Sequence, residues 1–370
     1  AVTVFTNDDA TDGDSNPCLN FKVLRRGRYS PSRIGWIKRS FLLRSILLDI
    51  SPDILLVGDA RAQRVFFHLM HLAVIPYCTV FYGTDLELLR AKLCYQGYSP
   101  RGLVSRHLLR EYIKSACERI CISRFTANAM RQLYGEELSC LILYPCVSEL
   151  FLTRPLCRMM GTEFDNKSAR AAISAKVRLI TVGRISERKN QLGVLAILAE
   201  LQRRHGLDFH YYIVGNVDSA EHLEYLRRLN RFIAANRLEN SVSILSRTTD
   251  EEKISYIDAS DIFIMLSRTV GNSIEGFGIS AIEASSRAKP IIVSEQGGMP
   301  ETVLQGKSGF TVPVDNTRAV ADAIMRLVHD GDLRRAMGAA GREYVLANFT
   351  AKTMARRLDD HLRQSMSDRK

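Results

Sequence analysis

The sequence predicts an α/β protein built as two doubly wound units in tandem. Three observations predict it. Short apolar runs such as 53–58, 177–182 and 261–266 are nearly continuous rather than alternating, as parallel strands buried on both faces require. Stretches of helical period separate those runs, and alternation of strand with helix argues an open, mainly parallel sheet. At 370 residues the chain is longer than one ordinary hydrophobic core supports, so the pattern divides into two domains.

The first domain is expected over residues 1–150. Its strands are predicted at 2–6, 21–24, 53–58, 74–82, 119–123 and 141–144, with Pro76 near the start of the fourth, and its helices at 34–48, 61–72 and 103–116. Residues 151–176 have no clear period, hold Pro155 and Gly161 among scattered charges, and read as the interdomain linker. The second domain is expected over 177–349. Its strands are predicted at 177–182, 209–214, 242–245, 261–266, 290–294 and 309–313, and its helices at 190–205, 221–236, 251–259 and 279–287. The tail is helical at 317–329, 333–347 and 351–366, and residues 350–370 are expected to pack back on the first domain. There is no short internal repeat and no low-complexity segment.

Hydrophobic residues make up 46% of the chain and charged residues 25%, ordinary values for a globular protein. No run of about 20 apolar residues is present, so no segment reads as a spanning helix, and no signal-peptide pattern is visible. The eight cysteines lie between Cys18 and Cys157 without a CxxC pair. That argues against a zinc site and for reduced, mostly buried thiols in a cytoplasmic protein. The net charge is +11, and its distribution matters more. From Asn20 to Ser45 there are eight basic residues and no acidic one, interleaved with Trp36, Ile37, Phe41, Leu42 and Leu43. Two readings compete: a solvated basic face over a core-facing stripe, or a surface for anionic lipid or a lipid-linked anionic substrate, which would place the protein peripherally on the inner face of the cytoplasmic membrane. No nucleic-acid-binding motif is present, and no nucleic-acid partner is expected.

The segment 271–285 organises the second domain. Gly276 and Gly278 allow an open turn after the strand at 261–266, where backbone can approach a ligand closely. The helix beginning at Ile279 would point free N–H groups and its positive dipole end into the cleft. Glu275 precedes that helix and Glu283 lies about two turns along it. The pair could face one ligand at different heights, or be two solvated carboxylates. Gly183-Arg184-Ile185-Ser186-Glu187-Arg188-Lys189 follows the first strand of the same domain. Ligands of open α/β sheets bind beyond the carboxyl ends of the strands. There Arg184 and Lys189 offer a planar fork and a point charge, chemistry suited to a diphosphate; the bland alternative is two surface bases on a loop.

These segments occur in order with Gly297-Gly298-Met299-Pro300-Glu301 and Gly306-Lys307-Ser308-Gly309-Phe310. From about Val177 to Asp315 the ordered set closely resembles the second domain of the retaining GT-B glycosyltransferases of family 4, the glycosyl transferases group 1. The resemblance implies the GT-B fold, two doubly wound Rossmann-like domains facing across a cleft, and transfer of a hexose from a nucleotide-diphosphate sugar with retention. It implies no cofactor and no metal in the site. Carried over by position, Arg184 and Lys189, after Gly183, would hold the diphosphate and stabilise charge on the departing nucleotide. Glu283 would accept hydrogen bonds from the ribose. Glu275 would face the donor sugar, with the backbone N–H groups of Phe277, Gly278 and Ile279 binding its hydroxyls. Arg247 and Thr248 would lie beside the base. Since the family reacts without a protein nucleophile, Glu275 and Glu283 are not read as a glycosidase pair.

The first half resembles the family's acceptor domain more loosely. Phe81-Tyr82-Gly83-Thr84-Asp85 occupies the place of a His-Gly segment, so Tyr82 and Asp85 would stand on the acceptor side; a phenol can still hydrogen-bond a sugar hydroxyl. His68, His71 and His107 read as packing or surface residues. Tyr144-Pro145-Cys146-Val147 matches the approach to the hinge, with Cys146 replacing Asn. The expected partners are a nucleotide-sugar donor, GDP-mannose or a UDP-hexose, and a lipid-linked or polysaccharide acceptor in surface-glycan synthesis. Alternatives are a small soluble acceptor, or a non-catalytic nucleotide-sugar-binding protein. The resemblance further implies that a first strand, Gly-rich turn and helix should precede the strand at 2–6, because the first strand of such a sheet lies between the second and the fourth. On that expectation residues 2–6 and 54–57 would not pair side by side.

Overall fold

The computed structural model describes residues 3–6, 22–25, 54–58, 76–83, 107, 110–156 and 176–367. Its strands are β1 Thr3–Thr6, β2 Lys22–Arg25, β3 Leu55–Val57, β4 Tyr77–Phe81, β5 Glu118–Cys121, β6 Leu141–Ile142, β7 Val177–Val182, β8 Phe209–Val214, β9 Val242–Leu245, β10 Ile262–Met265, β11 Ile291–Ser294 and β12 Gly309–Val312. They form a two-stranded sheet β1-β2, a four-stranded sheet β3-β4-β5-β6 and a six-stranded sheet β12-β11-β10-β7-β8-β9. Every strand pair is parallel. β1 pairs with β2 and not with β3, whose neighbour among the described residues is β4.

The six-stranded sheet starts at its centre. The chain runs from β7 outward to β8 and β9, then returns to the other side of β7 for β10, β11 and β12. The order therefore reverses between β7 and β10, and a crevice opens beyond the carboxyl ends of those two strands. Its central strands are apolar throughout because both faces are covered: Ile262, Phe263, Ile264 and Met265 are all fully buried, as are Ile291 and Ile292. One face packs Val194, Leu195 and Leu198 of the helix Gln191–His205. The other packs Ala281, Ile282 and Ala284 of the helix Ile279–Ser286 together with Val345 and Phe349. That second cluster also takes in Ile122, Val147 and Phe151 from the first half of the chain, so the two sheets meet through apolar contact.

Local sequence sets the helix ends. Ser123 and Thr126 form a capping box at the start of Arg124–Tyr134, and Thr249 with Glu252 does the same for Asp250–Ala259, each satisfying two donors that a helix start leaves open. The helix Gln191–His205 stops at Gly206, whose left-handed backbone donates back to Leu201 and Gln202.

The start of the expected linker is held firmly. Glu149–Thr153 is helical and Phe151 is fully buried in the second-domain core. Arg287, itself 1% exposed, donates to the carbonyls of Phe151, Arg154 and Pro155 while pairing with Asp258. The chain is thus pinned to the second domain at 151–155, before the boundary read from the sequence at 176. The remaining linker residues from 157 to 175 lie outside the described residues, as do Asp85, His68, His71, the helices expected at 34–48 and 61–72, and the basic segment apart from Lys22–Arg25. The last helix, Ala351–Ser367, reaches the first domain through His361, which pairs with Glu118.

Candidate functional site

A cleft of 810 Å³ lies between the two sheets at the β7/β10 reversal. From the second domain it is lined by Gly183, Arg184, Arg188, Lys189, residues 274–280 and Glu283, and from the first by Leu56, Tyr82, Gly83 and residues 143–146. The loops after β7, β10 and β4 therefore meet in one place.

Lys189 ends a short 3-10 turn, Glu187–Lys189, that follows β7. Its aliphatic stem passes over Gly183, where any Cβ would stand 3.0 Å from its Cε. The ammonium lies 2.6 Å from the Glu275 carboxylate and 3.6 Å from the Met265 sulfur. Arg188, on the same turn, pairs with the same carboxylate oxygen, and the Ser267 hydroxyl lies 3.4 Å from it. The N–H of Arg268 donates to the Arg188 carbonyl at 2.8 Å, which ties the loop after β10 to the loop after β7. Burial works against ionisation of Glu275, but Lys189 and Arg188 together overcome it and hold the carboxyl below its usual range. Burial is also the main reason the Lys189 ammonium titrates below its ordinary value, against the opposing pull of Glu275. Arg184 is exposed on the cleft wall and makes no ion pair among the described residues.

The turn before the helix Ile279–Ser286 depends on glycine at two points. Gly278 has φ 105°, and a Cβ there would meet the Met299 sulfur at 2.4 Å. Gly276 packs backbone to backbone on Gly83 of the first domain, where an added Cβ would lie 2.9 Å from the Gly276 Cα. Among the described residues, the backbone N–H groups of Phe277, Gly278 and Ile279 make no internal hydrogen bond, so the helix start presents free donors. The Phe277 side chain is not available to a ligand. It is buried, with Tyr144 and Phe349 at 5.3 and 5.5 Å between ring centroids.

The helix starts at Ile279 as expected, but Glu283 is only four residues in, about one turn rather than two. Its carboxylate lies 3.4 Å from the Lys253 ammonium. Burial, opposed by Lys253, pushes it above the usual carboxylate range. Tyr82 borders the cleft and is 42% exposed. Arg247 and Thr248 follow β9 and are not among the residues lining the cleft. The sharp bend at Arg247, φ 57°, is held by its N–H on the Asn216 side chain at 2.8 Å. Asp85 lies outside the described residues.

Sequence reasoning missed two residues. Arg188 reads in the sequence as a mere neighbour of Lys189, although a second base beside the first is itself a signal for an anion. Glu301 reads only as the end of a Gly-Gly-x-Pro-Glu segment, because its contacts are to residues far away in the chain. Among the described residues, no three or more His, Cys, Asp or Glu side chains are grouped to hold a metal ion. No helix among them is long and apolar enough to cross a membrane. A smaller cavity of 370 Å³ beyond β11 and β12 is bordered by Glu295 and Asp315, with no base lining it, so it is poorly suited to a phosphate.

Residues 163–344 match the family described as glycosyl transferases group 1. The GDP-mannose-dependent alpha-(1-6)-phosphatidylinositol monomannoside mannosyltransferase of Mycobacterium tuberculosis is 30% identical over 263 residues, 70% of this chain and 65% of that protein. The amylovoran biosynthesis glycosyltransferase AmsK of Erwinia amylovora is 28% identical over 319 residues, 83% of this chain and 70% of that protein. The chain thus spans just under two thirds of the length of the mycobacterial relative. Among solved structures, the sucrose-phosphate synthase of Thermosynechococcus elongatus superposes with a TM-score of 0.75 at 19% identity, covering 99% of this chain and 89% of that one. The Anabaena protein HepE in complex with UDP and glucose gives 0.68 at 18% identity, covering 92% and 85%. At these identities the likeness concerns the fold: GT-B, with two Rossmann-like domains.

Proposed function

Because the chain belongs to the group 1 glycosyl transferases, we propose that it moves a hexose from a nucleotide-diphosphate sugar to a lipid-linked or polysaccharide acceptor. One observation carries the reading. Two bases, a carboxylate between them and a helix start with open donors converge at the switch point of a parallel sheet, facing a second domain across one cleft.

In this reading Arg184 and Lys189 hold the donor diphosphate and stabilise the charge that grows on it as the sugar leaves. The N–H groups at 277–279 and the Glu275 carboxylate bind the sugar hydroxyls. Glu283 accepts from the ribose. Arg247 and Thr248 lie beside the base. The acceptor enters past Tyr82 from the first domain. Transfer proceeds with retention and without a metal, since fixed cations supply the charge that a metal would. GDP-mannose is the preferred donor, supported by the names of the mycobacterial relatives, with UDP-hexoses next. Lipid-linked glycan synthesis agrees with work at the inner membrane face.

The deciding experiment measures nucleotide release from GDP-mannose and UDP-glucose. Each donor is offered with vesicles carrying a lipid-linked mannoside, with soluble sugars, and with no acceptor. GDP release that needs the lipid-linked acceptor supports the proposal. Release with soluble sugars would move the acceptor class. Nucleotide binding without any release would make the chain a binding protein.

A further inference from the structure

Glu301 has no part in the donor site described above, yet its carboxylate accepts three hydrogen bonds from the first domain. It belongs to the short turn Met299–Thr302 after β11. One oxygen accepts from the N–H of Phe125 at 3.0 Å. The other accepts from the N–H of Arg124 at 2.8 Å and from the Tyr144 hydroxyl at 3.0 Å. Arg124 and Phe125 open the first-domain helix Arg124–Tyr134, whose own first turn has no acidic residue. Ser123 satisfies only the N–H of Thr126 there, so two of the open donors of that helix, and the positive end of its dipole, are met from the other domain. Tyr144 lies on the strand-to-hinge passage. Burial, then the Glu301 charge, pushes its hydroxyl up to about 12, which keeps it a donor.

The same turn also bears on the donor loop. The N–H of Gly298 donates to the Glu275 carbonyl at 3.0 Å. Gly297 and Gly298 lie so close that a Cβ on either would meet the carbonyl oxygen of Glu275 or Gly276 at 2.0 and 2.1 Å. From the first domain the Ser123 hydroxyl donates to the Gly276 carbonyl at 2.8 Å. Residues 297–301 therefore touch, within five positions, the loop that carries Glu275 and the helix that closes over it.

We propose that Glu301 is a positioning residue, an interdomain clasp that sets the first domain against the donor loop so that the cleft is registered for transfer. The proposal rests on the glycosyltransferase reading for its kinetic consequence but not for its structural one. Nucleotide binding uses groups of the second domain alone, whereas transfer needs both domains at a fixed separation. Loss of the clasp therefore lowers turnover and leaves nucleotide affinity in place.

The test compares the full chain with Glu301→Ala and Glu301→Gln. Glutamine keeps one carbonyl acceptor but sets an amide against the second N–H and removes the charge, so it falls between the other two. Three readouts are taken alongside a thermal melt: small-angle scattering without substrate, GDP binding by calorimetry, and GDP release from GDP-mannose with vesicles carrying phosphatidylinositol monomannoside. Expected are cooperative melting of both variants and a larger scattering radius for Glu301→Ala. GDP affinity stays within about twofold while kcat drops by about ten- to a hundredfold, the size of effect that small misplacement of reacting groups produces. Unchanged scattering and kcat in Glu301→Ala overturn the proposal. So does a fall of GDP affinity in step with kcat in the folded Glu301→Gln protein, which marks a merely structural role. A wild-type chain that releases no GDP from any donor counts against the proposed function, and the scattering comparison then decides the clasp by itself.

Discussion

Glu275 sits between Arg188 and Lys189 with its side chain only 14% exposed. Three charges so placed stabilise one another only as a set. Removing the carboxylate leaves two cations facing each other across a partly desolvated gap, so Glu275→Gln should destabilise the fold at neutral pH by about 3 kcal/mol. The sign with pH follows from the depressed folded value of this carboxyl. The folded state binds its proton less tightly than the unfolded chain. The stabilisation is therefore present above the ordinary carboxylate range and is lost as pH falls through the depressed value. Denaturant melts of wild type and Glu275→Gln should converge in acid, and a gap that persists there would refute the triplet. Arg184 differs in being exposed and unpaired among the described residues. Its task is proposed to lie in the transition state. Arg184→Ala should lower turnover by about a hundredfold while GDP affinity falls less, because charge grows on the leaving diphosphate during reaction. Turnover equal to wild type would remove Arg184 from that role.

At the scale of elements, the site is a set of loops whose closeness depends on missing side chains. Gly297 combines φ 62° with a Cβ position 2.0 Å from the Glu275 carbonyl oxygen. Gly206 has nearly the same φ, 63°, but nothing within 4 Å of its Cβ position. Comparison of the two separates backbone strain from lost contact. Gly206→Ala should cost about 1 kcal/mol through its left-handed backbone alone. Gly297→Ala should cost about 2–4 kcal/mol, since it adds a clash that only movement of the donor loop relieves. It should also weaken GDP binding, whereas Gly206→Ala should not. Equal melting losses and equal GDP affinities in the two variants would show that the donor loop is not held from behind by residues 297–298.

At the scale of the molecule, the contacts that join the two domains among the described residues include the shared apolar cluster around Phe151 and Phe349, the backbone approach of Gly83 to Gly276, the Ser123 hydroxyl on the Gly276 carbonyl, and the Glu301 carboxylate. The charge of the whole chain adds a further expectation. The eight bases between Asn20 and Ser45 lie mostly outside the described residues, but their composition stands. Each base held near an anionic leaflet contributes about 1 kcal/mol. Vesicle sedimentation should therefore show binding that requires acidic lipid and fades as salt rises. Equal partition to neutral vesicles would return this segment to an ordinary solvated face.

The sequence by itself determined the two-unit α/β architecture, and in the second domain nearly every element. Strands at 177–182, 209–214 and 242–245 and the helix at 317–329 lie within the bounds read from pattern alone, because strands buried on both faces, and helices with one buried stripe, must write their burial into local composition. The neighbourhood of Gly183, Lys189, Glu275 and Gly278 was legible for the same reason, each lying just past a recognisable strand. What local pattern does not contain is the partner of a charge. Arg188 meets Glu275, Arg287 closes on the carbonyls of 151–155, and Glu301 reaches the helix at Arg124. In each case the two sides are far apart in sequence, and either side alone reads as a solvated residue or an unremarked carbonyl. Only the return of the chain from β9 to β10, and the packing of one sheet on the other, brings them within hydrogen-bond distance. Tertiary structure therefore decided which charges form the site and which one holds its two halves together.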